Sequence, residues 1–106
     1  MKLPEVVQEL VNAQNNADST AFSNLFSETA KVFDEAKTHT GKAEIKAWIE
    51  KATKEYKMKM NPVSFEGNSK EGVLKAETSG NFPGSPFVFT YTFEFDGNRI
   101  QSLEIS

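Results

Sequence analysis

Aromatic rings occupy every second position of one segment: Phe87, Phe89, Tyr91, Phe93 and Phe95, with Val88, Thr90, Thr92 and Glu94 between them. Only an extended strand sends alternate side chains to one side, so the segment has an aromatic face and a mostly polar face. An aromatic face of that size must be covered. The upstream sequence offers amphipathic helices for the purpose, which predicts a sheet folded over helices with a solid core or a cavity between them.

Leu3, Val6, Val7, Leu10 and Val11 recur at the three-four spacing of an amphipathic helix. Pro4 suits its first turn, where a missing N–H costs nothing. The pattern fades at Gln14-Asn15-Asn16, a polar run that favours a helix end. Asp18 reads as the N-cap of a second, shorter helix with Phe22, Leu25 and Phe26 on its apolar side. Ala30–Asp34 and Thr38–Thr40 are short strand candidates. Ile45, Trp48, Ile49, Ala52 and Tyr56 then mark one face of a third helix, with lysines and glutamates opposite.

From Lys57 onward the period is two. Met58 and Met60 share one parity and Val63 and Phe65 the other, which predicts a bulge around Asn61-Pro62. Val73–Phe82 is a long strand, Pro83–Pro86 a loop, and Asp96-Gly97 a hairpin turn. Ile100, Leu103 and Ile105 complete the last strand, whose own change of parity predicts a second bulge near Gln101-Ser102. Helix, helix, strand, strand, helix and four antiparallel strands make an α+β order, with helices segregated to one face of the sheet.

At 106 residues, 38% hydrophobic and 25% charged, the chain has the size of one domain, residues 1–106. A net charge of −3 with interspersed signs argues against nucleic acid, which needs a concentrated basic surface. Lys51, Lys54, Lys57 and Lys59 form the nearest cluster, but Glu50 and Glu55 interrupt it and it reads as a solvated helix face. The absence of cysteine excludes disulfides, thiolate metal sites and cysteine nucleophiles. One histidine without cysteine leaves no metal-ligand spacing, and no cofactor motif is present. No apolar run approaches the ~20 residues that cross a bilayer, so no membrane association is expected and the default location is cytoplasmic.

The segment Asn24-Leu25-Phe26-Ser27-Glu28-Thr29-Ala30-Lys31-Val32-Phe33-Asp34, followed by Gly41, Ala43 and Ile45 at the opening of the third helix, resembles the nuclear transport factor 2-like superfamily and its SnoaL-like branch. The resemblance covers nearly the whole chain. It implies a cone-shaped α+β fold, three N-terminal helices packed on a strongly bent, mainly antiparallel sheet, enclosing an apolar pocket and often forming a homodimer. Bulges supply such bending. Members include ketosteroid isomerases, polyketide cyclases and dehydratases, so fold alone does not fix the chemistry. Ketosteroid isomerase uses an Asp base with a Tyr and a protonated Asp as oxyanion hole. The base position corresponds here to Asp34, the Tyr position falls near Leu10, and the protonated Asp position near Tyr91. Leu10 has no donor, which argues against steroid isomerisation and leaves proton abstraction from another carbonyl compound.

Asp34 is the candidate general base, if an apolar wall including Phe33 or Trp48 raises its pKa; otherwise it caps a turn or pairs with Lys37. His39 flanks the same turn and could assist, or be solvated. Tyr91 stands among phenylalanines, and a buried hydroxyl needs a partner, either a protein acceptor or a ligand. Leu10, Phe33, Trp48, Tyr56, Met58, Phe82, Phe89 and Phe93 are the expected pocket residues, with core packing as the alternative for each. Three functions follow: binding of a small hydrophobic ligand in the cone; an isomerase, cyclase or dehydratase with Asp34 as base and Tyr91 or His39 assisting; or a filled cone acting as a dimerising module. The outer face, Val88, Thr90, Thr92 and Glu94, could pair sheet to sheet in a homodimer.

Overall fold

The computed structural model describes residues 2–106. In chain order the elements are α1 (Glu5–Asn15), α2 (Ser19–Ser23), β1 (Phe26–Asp34), β2 (Lys37–Thr40), α3 (Gly41–Tyr56), β3 (Lys59–Gly67), β4 (Glu71–Ser79), β5 (Phe87–Asp96) and β6 (Arg99–Ile105). The strands form one curled sheet in the order β2-β1-β6-β5-β4-β3. Every neighbouring pair is antiparallel except β1 and β6, which run parallel. The helices lie on the concave side, so the architecture is the α+β cone that the alternation of β5 demands.

Each element follows from its residues. Val7, Leu10 and Val11 bury the inner stripe of α1. Asp18 caps α2, its carboxylate accepting from the Ala21 backbone N–H at 3.0 Å. Ile45 and Ile49 bury α3, which ends at Lys57 in the left-handed conformation with φ 50°. Strand β4 alternates buried and exposed without a break, sending Gly72, Leu74, Ala76 and Thr78 inward. Asn15 anchors the end of α1 to the sheet: its side chain accepts from the Met60 N–H at 2.7 Å and donates to the Met60 carbonyl at 3.0 Å.

Two bulges bend the sheet. Pairing of β3 with β4 slips between Pro62 and Ser64, leaving Val63 as the extra residue, 53% exposed, just after the predicted Asn61-Pro62. Pairing of β5 with β6 slips between Glu94, opposite Ser102, and Phe95, opposite Ile100, so Gln101 is the second extra residue. Strand β1 begins at Phe26, four residues earlier than the apolar pattern indicates, and α2 accordingly stops at Ser23. The polar run Ser27–Thr29 hides this part of the strand, where the β1–β6 register is also irregular. The core is built from Phe22, Phe26, Ile45, Leu74, Phe93, Ile100 and their neighbours.

Candidate active site

Between α1, α3 and the concave face lies a cavity of about 440 Å³, inside the range of about 300–1,000 Å³ usual for small-molecule sites. Its walls are mainly apolar, with Leu10, Phe22, Ile49, Met60, Leu103 and Ile105 among them. Strand parity delivers a carboxylate into this setting. Ala30 and Val32 are fully buried on the inner face of β1, and Asp34, two residues on, continues that face at the strand's end and lines the cavity. Strands β1 and β2 are joined by Glu35-Ala36, both left-handed at φ 52° and 60°. This is the geometry of a two-residue hairpin turn, and it brings Glu35, Lys37 and His39 to the same rim.

Burial pushes the Asp34 carboxyl above its usual pKa, and the neighbouring Glu35 charge adds to the rise. A backbone N–H from Glu35, the Trp48 indole N–H and the His39 ring act in the opposite sense and offset only part of it. His39 stacks on Trp48, centroids 5.5 Å apart and planes at 28°, which holds the indole beside the carboxylate. No ion pair joins Asp34 to Lys37.

On the sheet wall, Tyr91 is 7% exposed and Thr78 1%. The Tyr91 hydroxyl and Thr78 Oγ1 are hydrogen-bonded at 3.0 Å. Burial pushes the phenol pKa up and the Asp34 charge pushes it further, with the Thr78 bond acting against them. Tyr91 and Asp34 therefore face one volume within electrostatic reach of each other.

Aromatic rings frame the mouth. Tyr56 meets Phe82 edge-on at 6.3 Å, Phe82 lies 5.9 Å from Phe89, and Phe89 lies 4.8 Å from Phe87. Glycine is required at position 80 for this arrangement: a Cβ there would stand 2.6 Å from the Tyr56 carbonyl oxygen and 3.3 Å from Met58 Cγ. That close approach lets the Asn81 N–H donate to the Tyr56 carbonyl at 2.7 Å, tying the end of α3 to the loop that carries Phe82. The Tyr56 hydroxyl is held above its ordinary pKa by the charge of Glu55 first and Glu35 second.

Asp34, His39, Tyr91, Leu10, Trp48, Tyr56, Met58, Phe82 and Phe89 all line this cavity. Two expected pocket residues do not. Phe33 is 44% exposed, because its odd parity on β1 turns it to the outer face; of the two expected apolar neighbours of Asp34 only Trp48 lines the cavity, and its N–H opposes the rise in pKa. Phe93 has no exposure and stacks on Phe95 at 5.6 Å and 11°, so it belongs to the solid core. The aromatic face thus divides: Phe89 and Tyr91 line the cavity, Phe93 is core, and the partly buried Phe95 packs against that core from outside.

Sequence reasoning passed over Gln14, Glu35 and Thr78 as lining residues. Gln14 sits four residues after Leu10, which was signal enough for the inner face; its place in a polar run hid it. Among the described residues no group of three or more His, Cys, Asp or Glu side chains is spaced to hold a metal ion, and no helix is long and apolar enough to cross a membrane.

The fold recurs in solved structures. Protein SMa1630 of Sinorhizobium meliloti, assigned as a polyketide cyclase, is 34% identical, with 98% of this chain and 95% of that one aligned at a TM-score of 0.93. A Catenulispora acidiphila protein with a ketosteroid isomerase-like fold, solved with trimethylamine, is 19% identical over 99% of this chain and 86% of that one, TM-score 0.88. A nuclear transport factor 2-like protein of Cytophaga hutchinsonii is 17% identical over 100% and 93%, TM-score 0.81. No protein-family model matches the sequence, and no curated protein does. With a relative of that identity aligned end to end, the chain belongs to the nuclear transport factor 2-like superfamily, in its SnoaL-like group.

Proposed function

We propose that the cone binds a small, largely apolar carbonyl compound and that Asp34 abstracts a proton from the carbon next to the carbonyl. The observation that carries this reading is a carboxylate facing an apolar cavity with its pKa raised by burial. A base poised closer to neutrality is better matched to a weak carbon acid. In the step, an Asp34 oxygen takes the α-proton and the C–H electron pair moves toward the carbonyl, giving an enolate. The Tyr91 hydroxyl donates to the enolate oxygen while Thr78 Oγ1 donates to Tyr91. From a β,γ-unsaturated ketone the resulting dienolate takes the proton back from Asp34 at the γ-carbon (isomerisation). Alternatively the enolate carbon attacks a second carbonyl, whose oxygen takes the proton from Asp34 as the C–C bond forms (cyclisation). The S. meliloti relative, assigned as a polyketide cyclase, is consistent with the latter.

Exchange of α-protons for deuterium in D2O, followed by proton NMR on a panel of enolisable hydrophobic ketones, tests the assignment. Asp34→Asn is expected to lower exchange at least about 100-fold, the usual scale of a general base. Unchanged exchange in that variant sinks Asp34 as the base.

A binding protein without turnover is the second reading; it corresponds to the Tyr91 hydroxyl donating in its bond with Thr78, which leaves no proton for an enolate. We also infer that two copies pair through the outer sheet face, where Phe33, Val73 and Val88 are 44%, 38% and 45% exposed. Val88→Lys is expected to shift sedimentation from dimer toward monomer; a wild-type chain that sediments as a monomer at high concentration removes this interface.

A further inference from the structure

One polar side chain interrupts the inner stripe of α1. Val7, Leu10, Val11 and Ala13 are buried there, and Gln14 continues the stripe at 5% exposure. A primary amide offers two N–H donors and a carbonyl acceptor. Gln14 uses one of these, its nitrogen donating to Thr53 Oγ1 at a long 3.4 Å. Every fully enclosed side-chain nitrogen or oxygen among the described residues has a partner. The Gln14 side-chain oxygen has none among the described residues, so it opens onto free volume, and the volume that Gln14 lines is the cavity.

An amide with an unused donor and acceptor in an apolar wall forfeits hydrogen bonds that water would supply. An aliphatic residue would continue the stripe at no such cost, which makes a ligand group the physical reason for glutamine. A hydroxyl answers both unused sites, since it donates to the amide oxygen and accepts from the amide N–H.

We propose that Gln14 is the specificity determinant of the cavity and binds a hydroxyl at the end of the ligand remote from Asp34. The inference rests on the carbonyl-site reading above and narrows it to hydroxylated carbonyl compounds. Helix α3 separates the two ends: Asp34 lies beside Trp48 and Gln14 beside Thr53, five residues and about 7.5 Å further along its axis.

The matched probes are 4′-hydroxyacetophenone and acetophenone, which differ only in that hydroxyl. Their affinities are measured by NMR titration of the full chain, wild type and Gln14→Met, and methyl-proton exchange into D2O is followed in parallel. Wild type is expected to favour the hydroxylated ketone about tenfold, the scale of one net hydrogen bond, and Gln14→Met to abolish the preference. Equal affinities in the wild type, or a preference that survives in Gln14→Met, overturn the proposal. The first of these needs no variant, so a misfolded Gln14→Met leaves the test intact. A Gln14-dependent preference without proton exchange supports Gln14 and removes Asp34 as base; binding of neither ketone overturns both.

Discussion

The Tyr91 hydroxyl and Thr78 Oγ1 share a hydrogen bond of 3.0 Å in the wall of the cavity, where neither residue is more than 7% exposed. Each satisfies the other, so removing one strands its partner. Thr78→Val and Tyr91→Phe are each expected to cost about 1–2 kcal/mol in urea unfolding. The double variant is expected to cost less than their sum, because no polar atom is then left unpaired. Additive losses would mean that water in the cavity, and not the partner, satisfies these hydroxyls.

Asp34 links stability to pH in a defined direction. Burial holds its folded-state pKa above the ordinary carboxylate value, so the folded protein holds the proton more tightly than the unfolded chain. The stabilising contribution is complete below the unfolded pKa and is lost as pH rises through the folded one. Asp34→Asn, neutral at every pH, is therefore expected to be more stable than wild type at pH 7 and to lose that advantage below about pH 4, the ordinary range of an unfolded-chain aspartate. Thermal unfolding across pH 3–7 reads the difference, and an advantage independent of pH would contradict it.

Much of the fold was legible because its signals are periodic. Alternation in β5 and β4, the Ile45-Trp48-Ile49 stripe and the two parity breaks fixed strands, helices and bulges. The start of β1 was not legible, because Ser27–Thr29 carry no apolar period. For the site, Asp34 followed from the family resemblance, whereas parity put Tyr91 on the inner aromatic face. It also puts Phe93 there; that Phe93 is core and Phe89 pocket depends on how far the helices reach along β5, which no local pattern encodes. Phe33 cannot share the cavity with Asp34, since adjacent residues of a strand face opposite sides.

Glu35 is the second cause of the raised Asp34 pKa, after burial, and it sits in a left-handed turn with Ala36. Charge and backbone can be separated by substitution. Glu35→Gln is expected to bring the Asp34 carboxyl down toward, but not to, the ordinary range in a carbon-13 carboxyl titration. In the same titration Ala36→Gly is expected to leave Asp34 unmoved. It should instead raise stability by a few tenths of a kcal/mol to about 1 kcal/mol, as relief of the left-handed strain outweighs glycine's entropy cost. An Asp34 titration unmoved by Glu35→Gln would leave burial as the sole cause.

Phe93 and Phe89 stand two pairs of strand positions apart on the same aromatic face, and their truncation separates core from pocket. Phe93, with no exposure, leaves a new void on truncation, so Phe93→Ala is expected to cost about 3–5 kcal/mol. That is a large part of the roughly 5–15 kcal/mol that stabilises a domain of this size. Phe89 already borders free volume, and its truncation enlarges an existing cavity that solvent or ligand can enter. Phe89→Ala is expected to cost about 1–2 kcal/mol and to weaken binding of hydrophobic probes while Phe93→Ala acts on stability. Chemical unfolding together with probe titration distinguishes the two, and equal losses of stability would mean that the rings of β5 form one continuous core.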